Sequence, residues 1–408
     1  MNELETYVKT LFLIDKYTKT KTGVGVIDAY FGPDQFSKVE DPFDKSAESL
    51  IALLDSIKSF TDAIDDPLRK KAIDSDISSL ITMLEWLSTG DYDYIKLVEQ
   101  IFGITPVKFD DKIIEEKRLA VEEAAKFLGS GSLEDKIIKW ENSNKIKGEE
   151  LKRLIDSDIS ERNKKIGKMF QEKIFRLLPR YPPDNGVIYK TVTGEAWSGY
   201  NYYQGNYTSV NVLNLDMPFN KTRLLAVLYH EYEHHINNMF REMIYRENNQ
   251  LELSVVLLHT MRSVISEGTA DTARDFLGVT IETEEENLIA KLAELRSLVR
   301  LNSTYLLNIE NEKPSDVIDY VVQYGIMPRE NAEKGMAFIS PRTPDGKINF
   351  WWPYVYTYYF GRHNFVLPTF EKAKKLDKLA RFFEILYLNP HSKTAATWND
   401  AFAEILND

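Results

Sequence analysis

Six histidines occur in the 408 residues, and three of them fall within His230-Glu231-Tyr232-Glu233-His234-His235. His230 and His234 are four apart, the spacing that sets two side chains on one face of an α-helix. Two imidazoles held in that way can bind one metal ion. The carboxylate of Glu231, next to the first of them, can then take a proton from water on that ion. Zinc with two or three nitrogen or oxygen ligands from the protein keeps a position open for water. The pair therefore needs a third ligand before the chemistry is credible.

Glu267, in Ser266-Glu267-Gly268-Thr269-Ala270-Asp271, is the candidate. A helix carrying the histidines runs about 20 Å from His234 to Glu247, and a second helix begun near Leu251 reaches Glu267 after about 24 Å. A tight turn between antiparallel helices then brings Glu267 level with His230 and His234. Asp271, one turn further, can accept the second N–H of a ligating imidazole and so orient it. His259 is the rival third ligand. His235 is turned about 100° from His234 on the helix and is expected to be structural or to support a ligand from behind. His391, beside Pro390, is expected at the surface.

These residues need elements to hold them. Asn220 is a plausible N-cap, and Leu225, Leu228, Tyr232, Ile236, Met239 and Met243 form one apolar stripe beside the histidines. Asn248-Asn249 is a stop signal. Upstream, residues 46–60, 110–128 and 132–178 repeat the helical period. Residues 179–186 carry three prolines and a glycine, which end that pattern. The expected organisation is a helical region over 1–178 and a catalytic region with C-terminal helices over 187–408. β structure is expected at 187–216, with a strand at 208–216, and helices alone after residue 220. The fold class is mainly α with a small β-sheet. Gly23-Val24-Gly25 begins like a dinucleotide loop, but Asp28 stands where the third glycine belongs, so a simple turn is expected.

Composition narrows the chemistry. With no cysteine, a thiol nucleophile, a disulfide scaffold and cysteine-bound metal are excluded. The net charge of −12 argues against nucleic acid as a partner, because phosphate binding needs clustered positive charge. No apolar run is long enough for a membrane span. Glu3 and Glu5 stand where a signal peptide would be basic, and the apolar stretch at 11–14 is short, so a cytoplasmic location is expected.

His230-Glu231-x-x-His234 followed by a glutamate on the next helix resembles the gluzincin zinc metallopeptidases. Glu267-Gly268-x-Ala270 is similar to the stretch around the third ligand in their thermolysin-like and aminopeptidase branches. An aspartate four residues beyond that glutamate supports a zinc-ligating histidine in thermolysin-like enzymes. The strand before the histidine helix resembles the edge strand on which those enzymes pair extended substrate. The resemblance covers residues 200–278 and implies a zincin-like core with one zinc per chain. More faintly, Asp28-Ala29-Tyr30-Phe31-Gly32-Pro33, Tyr200-Asn201-Tyr202-Tyr203, Gly205-Asn206-Tyr207, His234-His235 and Ser266-Glu267-Gly268 look like segments of a mostly helical family of uncharacterised metallopeptidase-like proteins. The Pro-Gly insertion that its members often carry before the histidine pair is absent. Asn237 and Phe240 replace the glycine and third histidine of metzincins, and no aminopeptidase G-x-M-E-N signature occurs.

Two aromatic clusters stand out, five aromatics in residues 197–207 and eight in 350–360. Core packing is one reading of them and a cleft wall the other. Gluzincins steady the oxyanion with a tyrosine, histidine or arginine, and that resemblance makes Tyr358, Tyr359, Arg362 and His363 candidates, with Tyr358 and Arg362 chosen. The expected function is zinc-dependent hydrolysis of peptide bonds, with Glu231 as general base. A zinc hydrolase of a non-peptide amide or ester and a non-catalytic metal-binding module are the alternatives. Substrate identity and oligomeric state are not readable from the chain.

Overall fold

The computed structural model describes residues 3–39, 46–195 and 197–407. Its helices start and stop where local chemistry says they should. Ser46 accepts from the Ser49 amide to cap Ala47–Thr61. Asp66 caps Pro67–Thr89, with proline in the first turn, and Gly90 ends that helix in the left-handed region at φ 71°. Asn220 caps Lys221–Asn248 by accepting from the Arg223 amide, and Asn249 closes it at φ 53°. Among the described residues no helix is long and apolar enough to cross a membrane.

Among the described residues five short strands accompany the helices. β1 (Ile27–Tyr30) pairs antiparallel with β5 (Val255–Leu257). β2 (Val187–Val192), β3 (Gly199–Gly205) and β4 (Thr208–Asn214) form a second sheet in the order β2-β4-β3. The fold class is thus mainly α with small sheets, as the periodicity implied. Three expectations need correction. Residues after 220 are not all helical, because β5 lies among them. The strand before the histidine helix, β4, is the centre of its sheet and not an edge; β3 is the edge on that side. The second helix starts at Met261, not near Leu251.

The last point changes how Glu267 arrives. After Asn249 the chain makes a 3-10 turn at Leu251–Ser254, runs extended through β5, and only then enters the helix Met261–Phe276. An extended residue advances about 3.3 Å against about 1.5 Å in a helix. A three-residue strand with its flanking loop therefore covers much of the return that ten more helical residues would have covered.

The proline-rich stretch at 179–186 does end the helical run, but it does not separate two cores. Tyr7, Leu11, Leu80 and Leu84 from the first part share one apolar cluster with Ile236, Phe240, Val264, Tyr354 and Tyr387. Phe170 stacks on Tyr232 with ring centres 5.7 Å apart. A smaller cluster joins Ile114, Val121 and Ile137 to Leu288, Leu292 and Leu295 of the helix Glu284–Asn308. The Lys221–Asn248 helix lies at the centre of the larger core, buried along most of its length beyond His230.

Candidate metal centre

Burying the histidine helix obliges each of its polar side chains to find a partner. Glu242 receives the hydroxyl of Tyr203 and the amides of Asn206 and Tyr207, at 2.9 and 3.1 Å for the amides. Asn206 and Tyr207 both have positive φ, 54° and 59°, as the tight turn between β3 and β4 demands. One buried carboxylate thereby staples the β3–β4 hairpin to the helix and lays the start of β3 along Glu231. His235 is held by Ser209 at 2.8 Å and by Asp184 at 3.1 Å, the structural role expected of it.

His230 and His234 face the other way, into a cleft shared with Glu267. Their Nε2 atoms are 3.1 Å apart. Glu267 Oε2 lies 3.3 Å from the first and 3.7 Å from the second. A tetrahedral zinc with ligands at about 2.05 Å has ligand–ligand edges of roughly 3.3 Å, so these three atoms describe one face of such a tetrahedron. Glu267 Oε2 is buried and, among the described residues, accepts no hydrogen bond. An orphaned carboxylate oxygen beside two ring nitrogens is the donor set a divalent cation fits.

The other edge of each ligand is anchored. His230 Nδ1 donates to Asp271 Oδ1 at 2.9 Å, which turns Nε2 toward the triangle. His234 Nδ1 is 3.2 Å from Ser266 Oγ. Glu267 Oε1 accepts from the hydroxyl of Tyr354 at 2.9 Å. Burial opposes charge on both imidazoles, yet the hydrogen bond to Asp271 and the neighbouring Glu267 carboxylate outweigh it and raise the pKa of His230. Burial likewise opposes ionisation of Glu267, but the two imidazoles hold its carboxyl below the usual range.

Glu231 is 5% exposed and reaches the same cleft. Burial raises its pKa, against the pull of His230 and His234. Gly199 on β3 gives it room, since a Cβ there would lie 3.0 Å from Glu231 Oε1. Tyr358 lines the cleft with its ring 6.4 Å from that of His230, and among the described residues its hydroxyl has no partner. Arg362 does not reach the site. Its guanidinium donates to the Asp271 carbonyl at 2.6 Å and to Asp275 at 2.7 Å, and so braces the glutamate helix. His259 is fully buried among aromatics, with Nε2 2.7 Å from the Phe350 carbonyl, and is no ligand. His391 is 3% exposed, which corrects its expected surface position; Asn389 and Gln250 hold it beneath the neighbouring loop.

Three site residues were not foreseen. Tyr354 sits in the second aromatic cluster, four residues before Tyr358, and its spacing was the available signal. Asp28 stands in the sequence as a departure from a glycine motif and as the start of the 28–33 segment of the fainter family likeness, with no role assigned to it. Its register in β1 is irregular between Ile27 and Ala29, and this bulge turns the side chain toward Tyr200, whose hydroxyl it accepts. Burial raises the Asp28 carboxyl to about 6. Tyr200 lies on β3 and lines the cleft with Asp28. The aromatic clusters divide between both readings: Trp197, Tyr200, Trp351, Tyr354 and Tyr358 line the cleft, whereas Phe350, Trp352, Tyr356 and Phe360 are buried.

No family model matches the chain, and no curated protein matches it. Among solved structures the chain is similar to the putative lipoprotein from Colwellia psychrerythraea, with a TM-score of 0.54 and 16% identity over 89% of this chain and 68% of that one. It is also similar to a putative lipoprotein of unknown function from Shewanella oneidensis, with a TM-score of 0.53 and 13% identity over 89% of this chain and 73% of that one. The likeness is one of fold.

Proposed function

We propose that the protein is a zinc-dependent metallopeptidase with a zincin-like core, and that His230, His234 and Glu267 hold one zinc ion per chain. The observation that carries this reading is the triangle of His230 Nε2, His234 Nε2 and the orphaned Glu267 Oε2. Structural zinc sites are closed by four protein ligands, and the three here leave a side open to the cleft. When bound, zinc lowers the pKa of a water and polarises a carbonyl.

The chain's own residues supply the rest. Glu231 takes the proton from the attacking water and returns it to the leaving amine, which its raised pKa suits. The free hydroxyl of Tyr358 donates to the carbonyl oxygen as charge develops there. Tyr354, Asp271 and Ser266 keep the three ligands from rotating. β3 borders the cleft through Gly199, Tyr200 and Asn201, and its outer edge offers main-chain pairing to an extended peptide.

The test is zinc content together with cleavage of a peptide library by wild type and Glu231→Gln. About one zinc in each and cleavage by wild type alone are expected. No zinc in the wild type after loading sinks the reading. Cleavage of small amides or esters, with none of peptides, replaces it by the non-peptide alternative.

A further inference from the structure

The cleft does not stop at the histidines. It continues along both helices to Asn237, Asn238 and Arg241 on one side and Ser263 and Arg262 on the other, with Lys393 closing it. Arg241 follows His234 by seven residues, which is 700° of helix rotation, so both project from nearly the same face. The charged groups at this end are buried: Lys393, Arg241 and Arg262 are 6%, 9% and 6% exposed.

Its cations outnumber its carboxylates, with Arg241, Arg262 and Lys393 set against Asp76 and Glu233. Arg262 pairs with Asp76 at 2.7 Å. Among the described residues Arg241 has no carboxylate partner; it donates to the carbonyls of Leu253 at 2.8 Å and Val255 at 2.6 Å. Glu252 is committed to Arg69 at 2.7 Å. Glu233 accepts from the hydroxyls of Thr269 and Tyr387, at 3.0 and 3.2 Å, and its charge acts on Lys393 without an ion pair between the two. Among the described residues the Lys393 ammonium donates only to Asn237 Oδ1, though it has three protons to give. The ammonium also lies 6.0 Å over the Tyr387 ring, and a buried cation with so few acceptors is costly unless an anion joins it. Burial and then the guanidinium of Arg241 lower its pKa, with the Glu233 carboxylate opposing.

We infer that Lys393, with Arg241 and Arg262 behind it, forms an anion subsite that receives a carboxylate of the substrate. The inference rests on the peptidase reading for its substrate class. Along the helices the cluster lies about 7 to 11 Å from His234 and Glu267 at about 1.5 Å per residue. An extended peptide covers that distance in about two or three residues. The subsite therefore fits the C-terminal carboxylate of a peptide cut two or three residues from its end. An acidic side chain at the same distance has the same chemistry.

The test uses zinc-loaded Glu231→Gln protein, which holds substrate without turnover. N-acetyl tetra-alanine is titrated as the free acid and as the C-terminal amide, by calorimetry. The free acid is expected to bind at least tenfold more tightly. Lys393→Met should bring it to the level of the amide, and Lys393→Arg should keep the preference, which separates lost charge from lost folding. No saturable binding of the free acid, or equal binding of acid and amide, overturns the subsite. An amide carrying one glutamate that binds as well as the free acid assigns the subsite to side chains and overturns the terminal form. Binding of the free acid alongside a wild type that cleaves no peptide leaves the subsite standing and removes the peptidase reading instead.

Discussion

Gly268 and Gly361 cross with their backbones in contact: Gly268 N and Cα lie 2.9 and 3.0 Å from where a Cβ on Gly361 would be. That same Cβ would run into the carbonyl oxygen of Val264. Gly361 opens a π-helical turn, Gly361–Val366, directly after the short helix Tyr356–Phe360. This crossing sets the segment bearing Tyr354 and Tyr358 down on the helix that bears Glu267. Gly361→Ala is expected to lower stability by about 1 to 3 kcal/mol through overpacking. Chemical denaturation would check it, and an unchanged midpoint would show that the helices can part without cost.

Tyr354 should matter to the metal more than to the fold. Tyr354→Phe removes the donor to Glu267 Oε1 while keeping the ring among its aromatic neighbours. Loss of such a supporting bond weakens zinc binding about 10- to 100-fold. Competition with a chromophoric chelator measures this. Glu267→Ala should lose the metal outright, and His259→Asn should keep it.

The two residues first chosen to steady the oxyanion should separate. Tyr358→Phe is expected to lower kcat by about 100- to 1,000-fold with little change in KM. Arg362→Met should instead cost about 1 to 2 kcal/mol of stability, because its charged hydrogen bonds brace the glutamate helix. Equal losses of kcat in both variants would return Arg362 to the reaction.

Acid should destabilise the fold in part through His259. Burial lowers its pKa from 6.5 to about 3, with the Phe350 carbonyl opposing. Below pH 6.5 the unfolded chain therefore binds a proton that the folded chain refuses. The stability this group contributes is complete above that pH and is lost as pH falls toward the folded value. At about 1.4 kcal/mol per pH unit the loss reaches about 3 kcal/mol by pH 4.5. Unfolding of wild type and His259→Asn at pH 7.5 and 4.5 isolates the term. The variant should lose about 3 kcal/mol less than wild type over that interval, and parallel losses would assign the acid sensitivity to other groups.

Much of the candidate metal centre was legible because its signals are local. The four-residue step from His230 to His234 and that from Glu267 to Asp271 need only a helix, and Asn220 and Asn249 bound the first of those helices by chemistry within one turn of themselves. That Glu267 faces the histidines was also anticipated, but by the wrong route, since periodicity could not distinguish a helix begun at Leu251 from a strand followed by a helix begun at Met261. β1 and β5 are four and three residues long and pair across more than 200 residues, so neither carries an alternation long enough to read. Only the tertiary structure brings Asp28 to Tyr200, Tyr354 to Glu267 and Lys393 to Arg241. Each of these partners lies on a separate element, and their meeting depends on how helices cross and where a bulge falls. Burial of His259 and His391 was decided in the same way, by what the rest of the chain packs over them.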